Sequence, residues 1–308
     1  MKRNLTVAAA QDQILDAVSS LAPETVAVAE AQGRVLAEDI LSSRILPPAD
    51  CSAMDGYAIH SASSANASGD APASMRVAFE VAAGGVADCP LKPQEAARIF
   101  TGAPVPPGAD AVVMQEHVET DGELVRISKP VEHGAHIRKA GEELQVGDRV
   151  LAAGACVRAP VIGLLASLGR TVVSAIRRPR VAILSSGDEL VEPDASIEGG
   201  RIVSSNSYTL SALCREVGAE PTYFGIARDR PEDLEAHMRA ALYADCIVTS
   251  AGVSVGDHDH VKDVLEKLGC EIRFWGVQMK PGHPMVFGRF GNGPAPGVGR
   301  PLRIRTAR

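Results

Sequence analysis

A chain of 308 residues with 45% hydrophobic and 22% charged side chains is long enough for two or three packed domains and too apolar to stay unfolded. A formal charge of −7, from 31 basic against 38 acidic residues, and an aromatic content of 4% argue against a nucleic-acid-binding surface. No run approaches the roughly 18 apolar residues of a membrane-spanning helix, and Met1 to Thr6 lacks a signal peptide's apolar stretch, so the expected compartment is the cytoplasm, with no membrane partner.

Residues 1–45 are rich in alanine. Ile14, Leu15, Val18 and Leu21 recur at helical spacing behind Thr6 as N-cap, and a second helix is expected over Val28 to Ala37. Leu46-Pro47-Pro48 then favours extended backbone and marks a boundary. Over 46–150 short β-like runs (75–81, 111–115, 123–127, 148–151) alternate with Gly/Pro turns, the pattern of a small, mostly β domain. A helix over 160–168, stopped by Gly169, is expected to pack with the N-terminal one. The β domain is then an insertion into a discontinuous helical region made of 1–45 and 151–178.

From 179 to 291 strands and helices alternate. Strands are expected at 181–184, 223–226, 246–250, 272–277 and 285–290. Helices are expected at 207–217, after Pro231 and at 261–268, the first capped by Asn206 or Ser207 and stopped by Gly218. Repeated βα units imply a largely parallel sheet covered on both faces, with ligands at the carboxyl ends of its strands. The fold class is multidomain, α/β and β. The tail 292–308 breaks the pattern with four arginines and no acidic residue, which fits either a basic tail or a domain cut short.

Six cysteines stand far apart without zinc-ligand spacing, as expected of free thiols in a reducing compartment. Gly252-Val-Ser-Val-Gly256 matches a nucleophile elbow, but no helix pattern follows at once, and a glycine-rich turn offering N–H groups to an anion suits it better. In Asp257-His258-Asp259-His260 the two aspartates share a face if extended, while the histidines lack a third zinc ligand. Glu189, Asp229 and Asp259 each follow a strand. Each alone reads as a helix cap, but together they suggest a magnesium site completed by substrate phosphate. Lys280, held by Pro281 and Gly282, is expected to put a cation at the same edge, and Asp55 and Thr101 sit in tight loops of the β domain.

Seven segments together carry a resemblance. Ser52-Ala-Met-Asp-Gly-Tyr-Ala58, Thr101-Gly-Ala-Pro-Val-Pro106, Ala111-Val-Val-Met-Gln-Glu116, Ser186-Gly-Asp-Glu-Leu190, Ser205-Asn206-Ser207, Gly252-Val-Ser-Val-Gly256 and Lys280-Pro-Gly282 occur in the order found in molybdopterin molybdenumtransferases. These are the MoeA proteins, and the C-terminal domain of gephyrin is similar. The resemblance runs from about residue 6 to about residue 290.

It implies molybdenum cofactor synthesis. Molybdenum from molybdate enters adenylylated molybdopterin, with Mg²⁺-dependent release of AMP, in a homodimer whose site is shared between subunits, served by the enzyme that supplies the adenylylated substrate. It also implies a three-layer α/β/α molybdopterin-binding-like domain over 179–291. By motif match the catalytic positions are Asp55, Thr101, Glu189, Asp229, Asp259 and Lys280, and the metal is held by Glu189, Asp229 and Asp259. The substrate-binding positions are Ser186, Gly187, Asp188, Asn206, Gly252, Ser254, Gly256 and His283.

Three departures stand out. His283 replaces a usual lysine, Glu143 a frequent aspartate, and Ala251 a common glycine. The family continues past Phe290 into a further loop, a helix and a C-terminal β domain, so the resemblance implies a chain that lacks them. The alternative reading is a catalytically impaired molybdopterin-binding fragment or partner-docking module.

Overall fold

The computed structural model describes residues 2–86, 89–250, 260–280 and 282–291, together with the backbone of 304–307. The chain divides into two compact units, one of 1–37, 154–162 and 171–308, the other of 38–153 and 163–170.

The second unit is built on a six-stranded sheet in the order Val118–Asp121, Leu124–Ile127, Ala73–Val81, Glu95–Ile99, Gly56–Ile59, Ala111–Met114. All neighbours are antiparallel except Ala73–Val81 with Glu95–Ile99. Alternation along each strand buries both faces. Ala58, Ala97, Ile99 and Val112 pack with Val81 and Leu91 on one side, and Ile59, Met75, Ala96, Val113, Val125 and Ile127 pack on the other.

Gly56 is dictated by this pairing, because a Cβ there would stand 1.9 Å from the Val113 carbonyl oxygen of the adjoining strand. Gly56→Ala is expected to destabilise the unit by about 2 to 3 kcal/mol through overpacking, read as a lower urea midpoint at an unchanged slope.

In the first unit, helix α1 (Val7–Asp16) starts where the sequence places it, with the Thr6 hydroxyl accepting the Ala9 N–H at 3.2 Å. It ends sooner than expected, leaving Leu15 67% exposed and Val18 beyond it. The helix expected over 28–37 does not form. Only Val28–Glu30 makes a single 3₁₀ turn, and Pro23–Ala27 and Val35–Leu36 flank Val172–Ile176 in an antiparallel sheet. The 1–45 and 151–178 segments therefore hold strands as well as helices, and Gly33 at φ +75° turns the chain between two of them.

The α/β part holds a parallel sheet ordered Glu220–Ala227, Arg180–Ser186, Cys246–Ser250, Ile304–Ala307. Helix α3 (Ser205–Glu216) covers one face over Val181, Ile183 and Val248. Helices α4 (Pro231–Ala241) and α5 (His260–Lys267) cover the other over Ala182, Leu184 and Ile247. The remaining helix, α2 (Ala159–Ser167), lies at the expected place in the chain but does not pack with α1 as expected, because Ala10 and Ile14 of α1 rest on Phe274, Val277 and Phe287 instead. Cys270–Val277 belongs to a separate sheet, between Lys2–Leu5 and Val286–Phe290, whose Phe274 and Phe287 rings lie 5.5 Å apart. Among the described residues no helix is long and apolar enough to cross a membrane.

Candidate functional site

In the β unit the loop 52–55 is shaped by Ser52, whose hydroxyl donates to the Met54 carbonyl at 2.5 Å. This presents Asp55, whose carbonyl accepts the Gln115 N–H at 3.1 Å. Thr101 donates both its N–H and its hydroxyl to Asp55 Oδ1, each at 2.8 Å. The N–H bond first, and the hydroxyl second, hold the Asp55 carboxyl below the usual range, so it is ionised at neutral pH.

Arg98, which sequence reasoning missed, lies 5.0 Å from the Tyr57 and Phe100 ring centroids. It donates to Gly56 O at 3.2 Å and to Gln115 Oε1 at 2.5 Å. A fixed anion and a fixed cation thus stand close together. The only sequence signal for Arg98 is its place three residues before Thr101, on the strand facing Tyr57. Glu143, one of the departures noted above, pairs with Arg138.

In the α/β unit the loops leaving two adjacent parallel strands interlock. The Gly187 N–H bonds Ala227 O at 3.1 Å, the Asp188 N–H bonds Asp229 Oδ2 at 3.3 Å, and the Asp229 N–H returns to Asp188 Oδ1 at 3.4 Å. Arg228, also unforeseen, donates to Asp188 O at 3.3 Å. Gly187 takes φ +147°, and a Cβ there would meet the Glu189 carboxylate at 2.6 Å, so this turn needs glycine. Asp188, Glu189 and Asp229 are exposed, whereas Ser186 is buried.

Asn206 is exposed in the first turn of α3, but the cap is Ser204, not Asn206 or Ser207 as expected. Ser204 makes no capping bond, because its hydroxyl turns inward to Ser185 at 2.8 Å, and Ser185 reaches Ser250 at 3.2 Å. Sequence reasoning missed this buried chain of hydroxyls. Lys280 is exposed, and the ring of His283 donates from Nδ1 to Val277 O at 2.9 Å. Both follow a strand of the separate sheet, so the edge expected to be common to Lys280 and the carboxylates is not reproduced by strand pairing.

Asp259, Gly252, Ser254 and Gly256 lie outside the described residues. Among the described residues no three His, Cys, Asp or Glu converge on a metal position. What the structure does place side by side is the pair of loops bearing Glu189 and Asp229. Two exposed carboxylates of this kind suit a hard cation whose remaining ligands are water and substrate phosphate.

Residues 5–169 match the family model "MoeA N-terminal region (domain I and II)", and residues 182–299 match "Probable molybdopterin binding domain". The second match runs past residue 290, where the resemblance had been expected to stop. A molybdopterin molybdenumtransferase of Nostoc sp. is 42% identical over 86% of this chain and 61% of its own length. One of Staphylococcus aureus is 34% identical over 99% of the chain and 76% of its own. The solved molybdopterin biosynthesis MoeA protein of Pyrococcus horikoshii superposes with a TM-score of 0.81 at 31% identity, covering 98% of this chain and 74% of that one. The chain thus spans about three fifths to three quarters of the length of these relatives.

Proposed function

Because this chain belongs to the MoeA family of molybdopterin molybdenumtransferases, we propose that it transfers molybdenum from molybdate to adenylylated molybdopterin with release of AMP. The observation that carries the reading is the interlocked carboxyl edge at Gly187–Glu189 and Arg228–Asp229. Glu189 and Asp229, with Asp259, would hold Mg²⁺. When bound, such an ion neutralises charge on the adenylate phosphate and its leaving group. The chain's own residues bind and orient. The Asp188–Asp229 bracket fixes the loops, Asn206 stands exposed in the first turn of α3, and Lys280 and His283 offer cationic or donor groups to an anion. Asp55, ionised and locked by Thr101, supplies a fixed acceptor, and Arg98 a fixed cation.

Ser186, Gly187 and Asp188 belong to the proposed substrate-binding set, as do Gly252, Ser254 and Gly256 by motif match. The proposal extends to a homodimer, to delivery of substrate by the adenylylating enzyme, and to a cytoplasmic setting. The chain incubated with adenylylated molybdopterin, molybdate and Mg²⁺ is expected to release AMP in a molybdate-dependent way that chelation abolishes. Substrate binding without AMP release would instead make it a docking module, and absence of both would overturn the reading.

A further inference from the structure

Glu192 lies three residues beyond the Glu189 carboxylate and takes no part in the site described above. Leu190–Val191 pairs in parallel with Ile202–Val203, closed by Ile202 N–H to Glu189 O at 2.9 Å and Ser204 N–H to Val191 O at 3.0 Å. The Gly187–Glu189 loop and the cap of α3 are therefore the two ends of one short strap. Two paired residues alone hold a strap weakly. Glu192 supplies the rest, because its Oε1 accepts the Tyr223 hydroxyl at 3.0 Å and its Oε2 the Tyr208 hydroxyl at 3.3 Å.

Tyr223 stands on the central sheet and Tyr208 on α3, with rings 6.1 Å apart, so one half-buried carboxylate ties strap, sheet and helix together. Burial pushes the Tyr223 hydroxyl up in pKa and the adjacent Glu192 adds to it, against a smaller downward pull from the Ser207 and Ser204 hydroxyls, so it remains a donor through the neutral range.

We infer that Glu192 is a positioning residue that sets the Gly187–Glu189 loop through its paired bonds to Tyr208 and Tyr223. The structural part stands alone, and the substrate part rests on the proposed function. In Glu192→Ala, hydrogen exchange at the Leu190, Ile202 and Ser204 amides is expected to quicken about fivefold, while Glu192→Gln, which keeps an acceptor oxygen, stays within about twofold of the unsubstituted chain.

In the AMP-release assay Glu192→Ala is expected to raise KM for adenylylated molybdopterin about fivefold with kcat within about twofold, and Glu192→Gln to restore KM. A merely structural role would lower the folded fraction and leave KM unmoved. Unchanged exchange in Glu192→Ala, or quickened exchange with KM unchanged, overturns the inference. Absence of turnover in the unsubstituted chain would count against the functional reading, while the exchange experiment would still decide the role of Glu192.

Discussion

Asp229→Ala is expected to lower molybdate-dependent AMP release at least about 100-fold, a loss of about 2.7 kcal/mol of transition-state stabilisation, with Tm within about 2 °C of the unsubstituted chain. The two effects separate because of how the residue is held. Its side chain is exposed and accepts one N–H bond at 3.3 Å, so folding loses little when it goes. Its charge is one of two carboxylates brought to neighbouring strand ends, so a bound cation would lose much of its anchorage. Asp229→Asn keeps an oxygen for the Asp188 N–H but removes the charge, and it should behave like the alanine variant in activity. AMP release within about tenfold of normal in both variants would remove Asp229 from the proposed catalytic set.

The largest expected loss of stability lies away from the site. Asp245 is 7% exposed and receives Arg177 through two bonds, at 2.6 and 2.5 Å, and the Arg180 N–H at 2.8 Å. The Arg180 Nε lies 3.8 Å off, too far for a hydrogen bond, and that guanidinium rests 5.7 Å from the Tyr243 ring centroid. Asp245→Ala strands a half-buried guanidinium and leaves the Arg180 N–H without its acceptor. The expected cost is about 3–5 kcal/mol, or a fall in Tm of about 10 °C, with activity per folded molecule unchanged.

The pH dependence has a definite sign. Burial alone would push the Asp245 carboxyl up, but bonds from Arg177 and the Arg180 N–H outweigh it and hold it below the usual range. Its stabilising contribution is complete above the ordinary carboxylate pKa and disappears as pH falls through the folded value. The gap in Tm between Asp245→Ala and the unsubstituted chain should therefore be full at pH 7 and shrink below about pH 4. A gap that does not change with pH would mean that packing, not charge, is what the alanine removes.

The sequence revealed elements where local pattern and tertiary fate agree. The strand at Cys246–Ser250, the start of helix α4 and both ends of α5 fall within a residue of expectation, because apolar runs, Pro231 and Gly269 punctuate them strongly. Val28 to Ala37 failed because its alanines and polar residues favour a helix locally, whereas Leu36 and Val35 gain more by pairing with Ala175 and Ile176. Gly56–Ile59 and Glu95–Ile99 were invisible as strands, since Gly56 and three of the alanines weaken any β signal. Their small side chains are what the close sheet contacts require.

The site shows the same division. That the loops carrying Glu189 and Asp229 would meet at neighbouring strand ends was legible, because strand order brings such loops together. Arg98, Glu192 and the Ser185–Ser204–Ser250 hydroxyls gain their meaning only from partners distant in the chain.

The ends of the segment 38–153 have a consequence for how the chain is made and remade. Leu36 N–H bonds Ala155 O at 2.9 Å and Gly154 N–H bonds Leu36 O at 2.8 Å, so the points where the chain departs and returns are held together by the host's own backbone. On the ribosome, residues 38–153 take on the order of ten seconds to emerge, and they do so before Val172–Ile176, which closes the host sheet, exists. The segment, which is all of its unit but 163–170, has time to form its six-stranded sheet while its host waits half-built. For an engineer, the same adjacency marks where the segment could be excised, since a turn of a few residues from Leu36 to Ala155 would bridge the gap and leave only 163–170 of that unit behind.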